Sequence, residues 1–336
     1  MQGLRSHQYT MPFDPEKIHI VFMGTPPFAV ASLRALREAG MNIRGVVTSP
    51  DKPAGRGQKM RSGAVKEYVL SLPHAPEICQ PLKLNDPLFI DQMKQWNPAL
   101  IVVVAFRILP GEVWQLPALG TFNLHASLLP QYRGAAPINW AVINGEKKTG
   151  VTTFFINDRV DTGNIILQEE TAIGDDETAG SLSNRLMVMG ASLVVRTVRL
   201  ICSGEVKTTG QQELTDGLTL RTAPKISREN SRIRWDQTAW NIHNLIRGLS
   251  PQPGAWCRLA GKQVTAQHMK IFGSALTGKK STGQPGSFVT DDKTFLEINT
   301  ADQRLAITDL QAENKRRMGI REFLRGFDLN RFTSFE

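Results

Sequence analysis

The first apolar cluster, Ile18-His19-Ile20-Val21-Phe22-Met23, is short and nearly continuous, the pattern of a strand covered on both faces, and it stops at Gly24. Beyond it Phe28, Ala31, Leu33, Leu36 and Ala39 recur at close to helical spacing, with Arg34, Arg37 and Glu38 between them. This predicts an amphipathic helix stopped by Gly40. A second strand over Ile43–Thr48 follows at once, and a connection of that length fits a right-handed parallel crossover. Leu100–Ala105 and Thr121–His125 read as further strands, with room for helices between them. Val151–Ile156 alternates β-branched and aromatic residues, Ile165–Gln168 resumes the sheet after a turn, and Leu182–Cys202 has the period of a long closing helix. The predicted architecture is an α/β domain: an open, mostly parallel, Rossmann-like sheet with helices on both faces.

Periodicity then fades. The stretch 203–222 is rich in Gly, Thr and Gln and reads as a linker. After Trp235 the pattern predicts a helix over Thr238–Gly248 and short strands at Val264–Ile271, Phe295–Asn299 and Arg304–Leu310, separated by Gly, Thr, Asp and Lys, as in a small OB-like β-barrel. The expected division is a disordered arm (1–16), a catalytic domain (17–206), a linker (207–224) and a C-terminal barrel (225–336).

Composition narrows the class. With 336 residues, 41% hydrophobic and 21% charged, the chain is long enough for two globular domains. Its longest unbroken apolar run, Ala99–Phe106, is far short of the ~18 residues of a membrane span, so no membrane partner is expected. No signal-peptide-like apolar core precedes Ile18, and Cys79, Cys202 and Cys257 have no paired spacing; the expectation is a reducing, cytoplasmic setting without cysteine-bound metal. No heptad or extended apolar edge stands out, which predicts a monomer. The net charge of +9 is uneven: Lys225 onward holds 18 Lys and Arg against 11 Asp and Glu, the first 224 residues 22 against 20. A basic domain joined to a nearly neutral one points to a polyanionic partner.

Several chemistries lose their signatures. The turn after the first strand, Gly24-Thr25-Pro26-Pro27-Phe28-Ala29, lacks two of the three glycines of a nicotinamide fingerprint, and neither a phosphate-binding Gly-Lys-Ser/Thr loop nor a His-Glu-x-x-His helix is present. Asn123-Leu124-His125 carries more. Residues two apart on a strand share a face, so an amide and an imidazole project together at the end of a parallel strand, where two donors can converge on one carbonyl oxygen. The alternative for the same triplet is a histidine satisfied by a loop carbonyl and a turn asparagine.

The segments that follow, Ser127-Leu128-Leu129-Pro130-Gln131-Tyr132-Arg133-Gly134-Ala135-Ala136-Pro137 and Asp158-Arg159-Val160-Asp161-Thr162-Gly163, resemble the formyltransferase family that uses 10-formyltetrahydrofolate, most specifically its branch acting on methionyl-tRNA. The resemblance runs from Ile18 almost to the end, through Gly-Thr-Pro-x-Phe-Ala, Asp51-Lys52-Pro53-Ala54-Gly55-Arg56-Gly57, Arg234-Trp235, and Leu310-Gln311 through Lys315 and Met318 to Phe323-Leu324.

The resemblance implies that Asn123, His125 and Asp161 are catalytic: the first two hold a tetrahedral oxyanion, and Asp161 orients His125 and helps to move the proton. It implies that Ser127, Leu128, Leu129 and Pro130 contact the folate donor, and that no metal takes part. The acceptor it implies is initiator methionyl-tRNA. The basic run Pro50–Lys66, with Lys52, Arg56, Lys59, Arg61 and Lys66 against Asp51, reads as a flexible loop able to clamp acceptor-stem phosphates. Arg56 occupies the family's tRNA-contacting arginine. Lys315, Arg316, Arg317, Arg321 and Arg325 crowd a final helical segment as a second phosphate surface, with Lys315 the expected contact. Phe106-Arg107 depart from the family's more common Tyr-Gly, where Arg107 adds bulk and charge beside the expected pterin pocket. Glycinamide ribonucleotide, sugar-nucleotide and hydrolase members would share the same three catalytic residues; the basic barrel and the Pro50–Lys66 clamp separate them from a tRNA-directed enzyme. A noncatalytic RNA-binding protein is the alternative outside the family.

Overall fold

The computed structural model describes residues 13–54, 59–215, 217, 219–261 and 264–336. The chain begins with β1 (Ile20–Gly24), α1 (Pro27–Glu38), β2 (Ile43–Val47), β3 (Lys52–Ala54), β4 (Lys59–Arg61), α2 (Ala64–Leu70), β5 (Glu77–Cys79) and α3 (Pro87–Trp96). It continues with β6 (Leu100–Val104), α4 (Gly111–Trp114), β7 (Thr121–His125), β8 (Arg133–Gly134), α5 (Pro137–Ile143), β9 (Lys148–Phe155), β10 (Ile165–Ala172) and α6 (Ala179–Ser203). Seven strands form one sheet in the order β10-β9-β7-β6-β1-β2-β5. β7, β6, β1, β2 and β5 are parallel neighbours, and β9 runs antiparallel to β7. The chain moves outward from β1 to β2 and β5, then returns to β6 and β7 on the other side, so the strand order reverses beside β1; ligands bind open α/β sheets outside the carboxyl ends of strands at such a point.

Residue alternation assigns the two faces. Val21 and Met23 of β1, Val47 of β2 and Ile101 and Val103 of β6 are buried in one cluster with Phe89, Met93 and Trp96 of α3 and Val113 of α4. Pro87 and the Asp86 carboxylate, which accepts from the Leu88 amide, start α3. Ile20, Phe22, Val102, Phe122 and Leu124 have the opposite parity, and on that side α1 and α6 come close: a Cβ on Gly24 would lie 2.6 Å from the Ala29 Cβ, and one on Gly190 of α6 2.7 Å from Leu124 Cδ2. Asn123, opposite Val103 in the β6–β7 register, therefore lies on the face of α3 and α4. α6, 25 residues long, contains an 18-residue window with a mean hydropathy of 1.6 and is by length and composition long and apolar enough to cross a membrane, a candidate that the unbroken-run criterion passes over. Its Leu182, Leu186, Leu193, Val194 and Val198 are buried within the fold.

The C-terminal region holds β11 (Thr222–Ala223), α7 (Ala239–Gly248), β12 (Ala255–Gly261), β13 (Val264–Lys280), β14 (Phe288–Thr290), β15 (Leu296–Asn299) and β16 (Gln303–Ala312), then β17 (Met318–Gly319), α8 (Ile320–Gly326) and β18 (Ser334–Phe335). Its sheet runs β14-β15-β16-β13-β12-β18, with β17 on β16, and its neighbouring strands pair antiparallel. The Phe335 amide donates to Gly286 O (2.8 Å) just ahead of β14, which brings the two edges together as a nearly closed, OB-like barrel. Trp235, Ile246, Met269, Ile298, Leu310 and Phe335 belong to its core.

Packing does not follow a single cut of the chain. One compact unit comprises the described residues up to Arg133, Gly150–Thr171 and Asn184–Arg221; the other comprises Gly134–Thr149, Ala172–Ser183 and Thr222–Glu336. Within the second, buried Arg247 of α7 donates to Gly174 O and Glu177 O, and Asn139 donates to Gly248 O, ties between distant segments that no local pattern encodes. The first part of the expected linker, including a 3₁₀ turn at Gln211–Leu214, packs with the first unit.

Candidate active site

β7 ends at His125, and its alternation delivers Asn123 and His125 to one face while Leu124 turns to α6. His125 is 6% exposed. Its Nε2 lies 2.8 Å from Tyr132 O, and its Nδ1 lies 3.9 Å from Asp161 Oδ2. A carbonyl only accepts, so Nε2 carries the proton in that bond, and Nδ1 is the nitrogen left for chemistry. Both readings of the histidine are thus realised at once: one ring nitrogen is satisfied by a loop carbonyl, the other faces a carboxylate. The Nδ1–Oδ2 separation exceeds a direct hydrogen bond and suits a reacting group shared by the two.

Local chemistry holds Asp161 there. Asn157 Oδ1 accepts from the Arg159 amide (3.1 Å) and Thr162 Oγ1 (3.0 Å), closing the turn. Asp161 adopts a left-handed φ of 55°, which aspartate tolerates better than most side chains. Gly163 is required by space: a Cβ there would stand 1.6 Å from Phe155 O. Tyr132, whose carbonyl fixes His125, has a φ of 60°, a strained value for a bulky residue. Its amide donates to Arg221 O (2.7 Å), and Gln131 Oε1 accepts from the Arg221 amide (2.9 Å).

In the expected folate segment Ser127, Leu129 and Pro130 are buried, Leu128 is half-buried, and the loop is braced. Ser127 Oγ donates to Gln131 O (2.6 Å); Thr152 Oγ1 donates to Ser127 O (2.6 Å) and accepts from the Leu129 amide (3.2 Å). Gln168 Nε2 donates to Leu129 O (2.8 Å), and the Leu129–Pro130 peptide is cis. Leu128 O accepts from the Gln131 amide, so Ser127, Leu128 and Leu129 spend main-chain groups on holding the loop, each carbonyl retaining a second lone pair. Arg107 turns its guanidinium to Pro81 O (2.8 Å) and Leu82 O (3.0 Å), which occupies the charge that the sequence places beside the pocket.

Sequence reasoning missed Gln211, taken as part of a linker. It is 2% exposed and bonds both Arg133 and the Asp161 turn. Burial pushes the Arg133 guanidinium down from its ordinary range, opposed by the charge of Asp161.

The basic surfaces differ from expectation. Arg56 lies outside the described residues. The described residues on either side of it are short strands, β3 paired antiparallel with β4; Lys52 is exposed on β3, and Lys59 opposes Ala54 in the backbone register. Lys66 is held by Asp51 (2.7 Å), because it opens the first turn of α2 within reach of that carboxylate. Near the C-terminus only Arg321 and Arg325 stand on α8; Lys315, Arg316 and Arg317 precede it. Lys315 is exposed, whereas Arg316 pairs with Glu322 and Arg317 with Asp309 (2.8 Å). Among the described residues no cluster of His, Cys, Asp and Glu could hold a metal.

The sequence matches the formyl transferase family over residues 16–198 and the formyl transferase C-terminal domain over 225–328, and the chain belongs to that family. Methionyl-tRNA formyltransferase of Bacteroides fragilis is 48% identical over 314 residues, covering 94% of this chain and 96% of the relative. The protein of the same name from Azobacteroides pseudotrichonymphae is 50% identical over 313 residues, 92% of this chain and 96% of the relative. Among solved structures, an N-formyltransferase from Helicobacter canadensis shares the fold with a TM-score of 0.61 at 21% identity, over 86% of this chain and 98% of that one.

Proposed function

We infer that this chain transfers the formyl group of 10-formyltetrahydrofolate to the amino group of methionyl initiator tRNA, yielding N-formylmethionyl-tRNA and tetrahydrofolate for translation initiation. The observation that carries the reading is the Asn123/His125 pair at the end of β7 with Asp161 3.9 Å from His125 Nδ1, in a chain 48% identical to a methionyl-tRNA formyltransferase over nearly its whole length.

The amine lone pair forms a bond to the formyl carbon, and the carbonyl π pair moves to oxygen. The Asn123 carboxamide and protonated Nδ1 of His125 donate to that oxyanion, the place where fixed donors are worth most because the charge exists only in transit. Collapse breaks the carbon–N10 bond of the folate. The amine gives up one proton and N10 receives one, and Asp161, beside His125 Nδ1, relays it. Ser127–Pro130 form the wall against which the folate lies. In this assignment residues 17–206 carry the catalytic side chains, 207–224 join the two regions while Gln211 bonds the Asp161 turn, and the basic region from 225 binds tRNA phosphates together with Lys52, Arg56, Lys59 and Lys315. The enzyme acts in the cytoplasm as a monomer.

The test offers 10-formyltetrahydrofolate with methionyl-tRNA, free methionine or an aminosugar nucleotide as acceptor. Rapid formylation of methionyl-tRNA alone is expected. Faster transfer to the sugar amine, or none to any acceptor, overturns the reading.

A further inference from the structure

We infer that Gln211 is a positioning residue for formyl transfer, a single carboxamide that holds the Asp161 turn and Arg133 together. Its Nε2 donates to Asp161 O (2.9 Å) and Gly163 O (2.8 Å), and its Oε1 accepts from Arg133 Nε (2.9 Å) and Nη2 (2.6 Å). Both donors and both lone pairs of the amide are used, and only one orientation of the group is possible, since the flipped form would set oxygen against two carbonyls and NH₂ against a guanidinium. The two carbonyls bracket Thr162, so the clamp grips the backbone on both sides of the turn that sets the left-handed Asp161. The amide is planar and buried, so a shift of Arg133 is passed to Asp161, whose carboxylate stands 3.9 Å from His125 Nδ1. Its own position is fixed by the 3₁₀ turn that Gly210 begins, where the Gly210 amide donates to Glu213 Oε1 (3.2 Å).

The inference rests on the catalytic reading of Asp161, and the experiment separates the two. Gln211→Met keeps the length of the side chain and removes every bond; Gln211→Glu keeps an acceptor for Arg133 and removes both donors to the turn. Steady-state formylation is measured for each, alone and combined with Asp161→Asn, with folate and tRNA varied in turn. A loss of about 30-fold or more in kcat is expected from both single variants, with KM for folate and tRNA within about three-fold, because displacing the turn by an ångström is enough to misplace the carboxylate. In the Asp161→Asn background Gln211→Met is expected to add less than about three-fold. Turnover within about three-fold of wild type in both Gln211 variants, or an undiminished loss on top of Asp161→Asn, overturns the inference. Failure of both variants to fold also overturns it, since Gln211 would then be structural. Asp161→Asn with near wild-type turnover instead overturns the catalytic reading on which it stands.

Discussion

Gly163→Ala places one methyl group where the backbone has no room. The added Cβ would stand 1.6 Å from Phe155 O, against the 3.0 Å below which real Cβ contacts essentially do not occur. The obstacle is main chain at the end of β9, where the Phe155 amide already donates to Asn164 O (3.0 Å), so no side chain can swing aside. The turn must retreat by more than an ångström, and Asp161 is only two residues away. Overpacking of this kind costs about 1–3 kcal/mol of stability, and a misplacement of that size costs about 100-fold in rate. The assay is single-turnover formylation of methionyl-tRNA at saturating folate, with thermal unfolding followed in parallel. A variant that stays folded, binds both substrates and turns over about 100-fold more slowly is expected. Turnover within about three-fold of wild type would mean that the turn adjusts without moving the carboxylate, and the geometric reasoning would be wrong.

Thr152→Val strands the Ser127 carbonyl, the Leu129 amide and one bond of Gln168; a lower thermal midpoint, from about 1–3 kcal/mol of lost stability, and a raised KM for folate are expected, with KM for tRNA unchanged. Arg56→Ala should raise KM for methionyl-tRNA and leave kcat nearly intact, and Kd for tRNA measured across a salt series should lose about 0.7–0.9 of its log-log slope for each phosphate contact removed. His243 is buried, and desolvation, with Arg247 adding to it and Asp176 opposing, holds its pKa below the ordinary 6.5. The unfolded state then binds more protons below pH 6.5, so the unfolding midpoint should fall as pH drops through that value and be flat above it for this group. His243→Gln should flatten the acid side, and an unchanged slope would remove His243 as its source.

The readable parts of the fold were those with one dominant period. β1 and β6 are buried along their whole length, so their sequences are continuous apolar runs; α6 keeps a helical stripe over seven turns. Asn123 and His125 were legible as partners because a strand repeats every two residues. Asp161 was not: nothing in the 35 intervening residues encodes its approach to His125, and only the motif resemblance singled it out. Gln211 left no signal, since one polar side chain in an aperiodic segment looks the same whether it faces solvent or closes a network of four bonds. β13 extends well past the predicted Ile271 because Gly273 shifts its register and its outer half is polar. The C-terminal cations read as free charge, yet Arg316 and Arg317 have carboxylates brought to them by the barrel fold.

The central claim is that Asn123 and Nδ1 of His125 stabilise a transient oxyanion beside Asp161. Its most direct test is the single-turnover rate of formyl transfer from 10-formyltetrahydrofolate to methionyl-tRNA in His125→Ala, with tRNA and folate binding measured on the same protein. A fall of about 10²–10³-fold, with Kd for both substrates within about three-fold of wild type, is predicted. A folded variant that retains wild-type turnover would contradict the account.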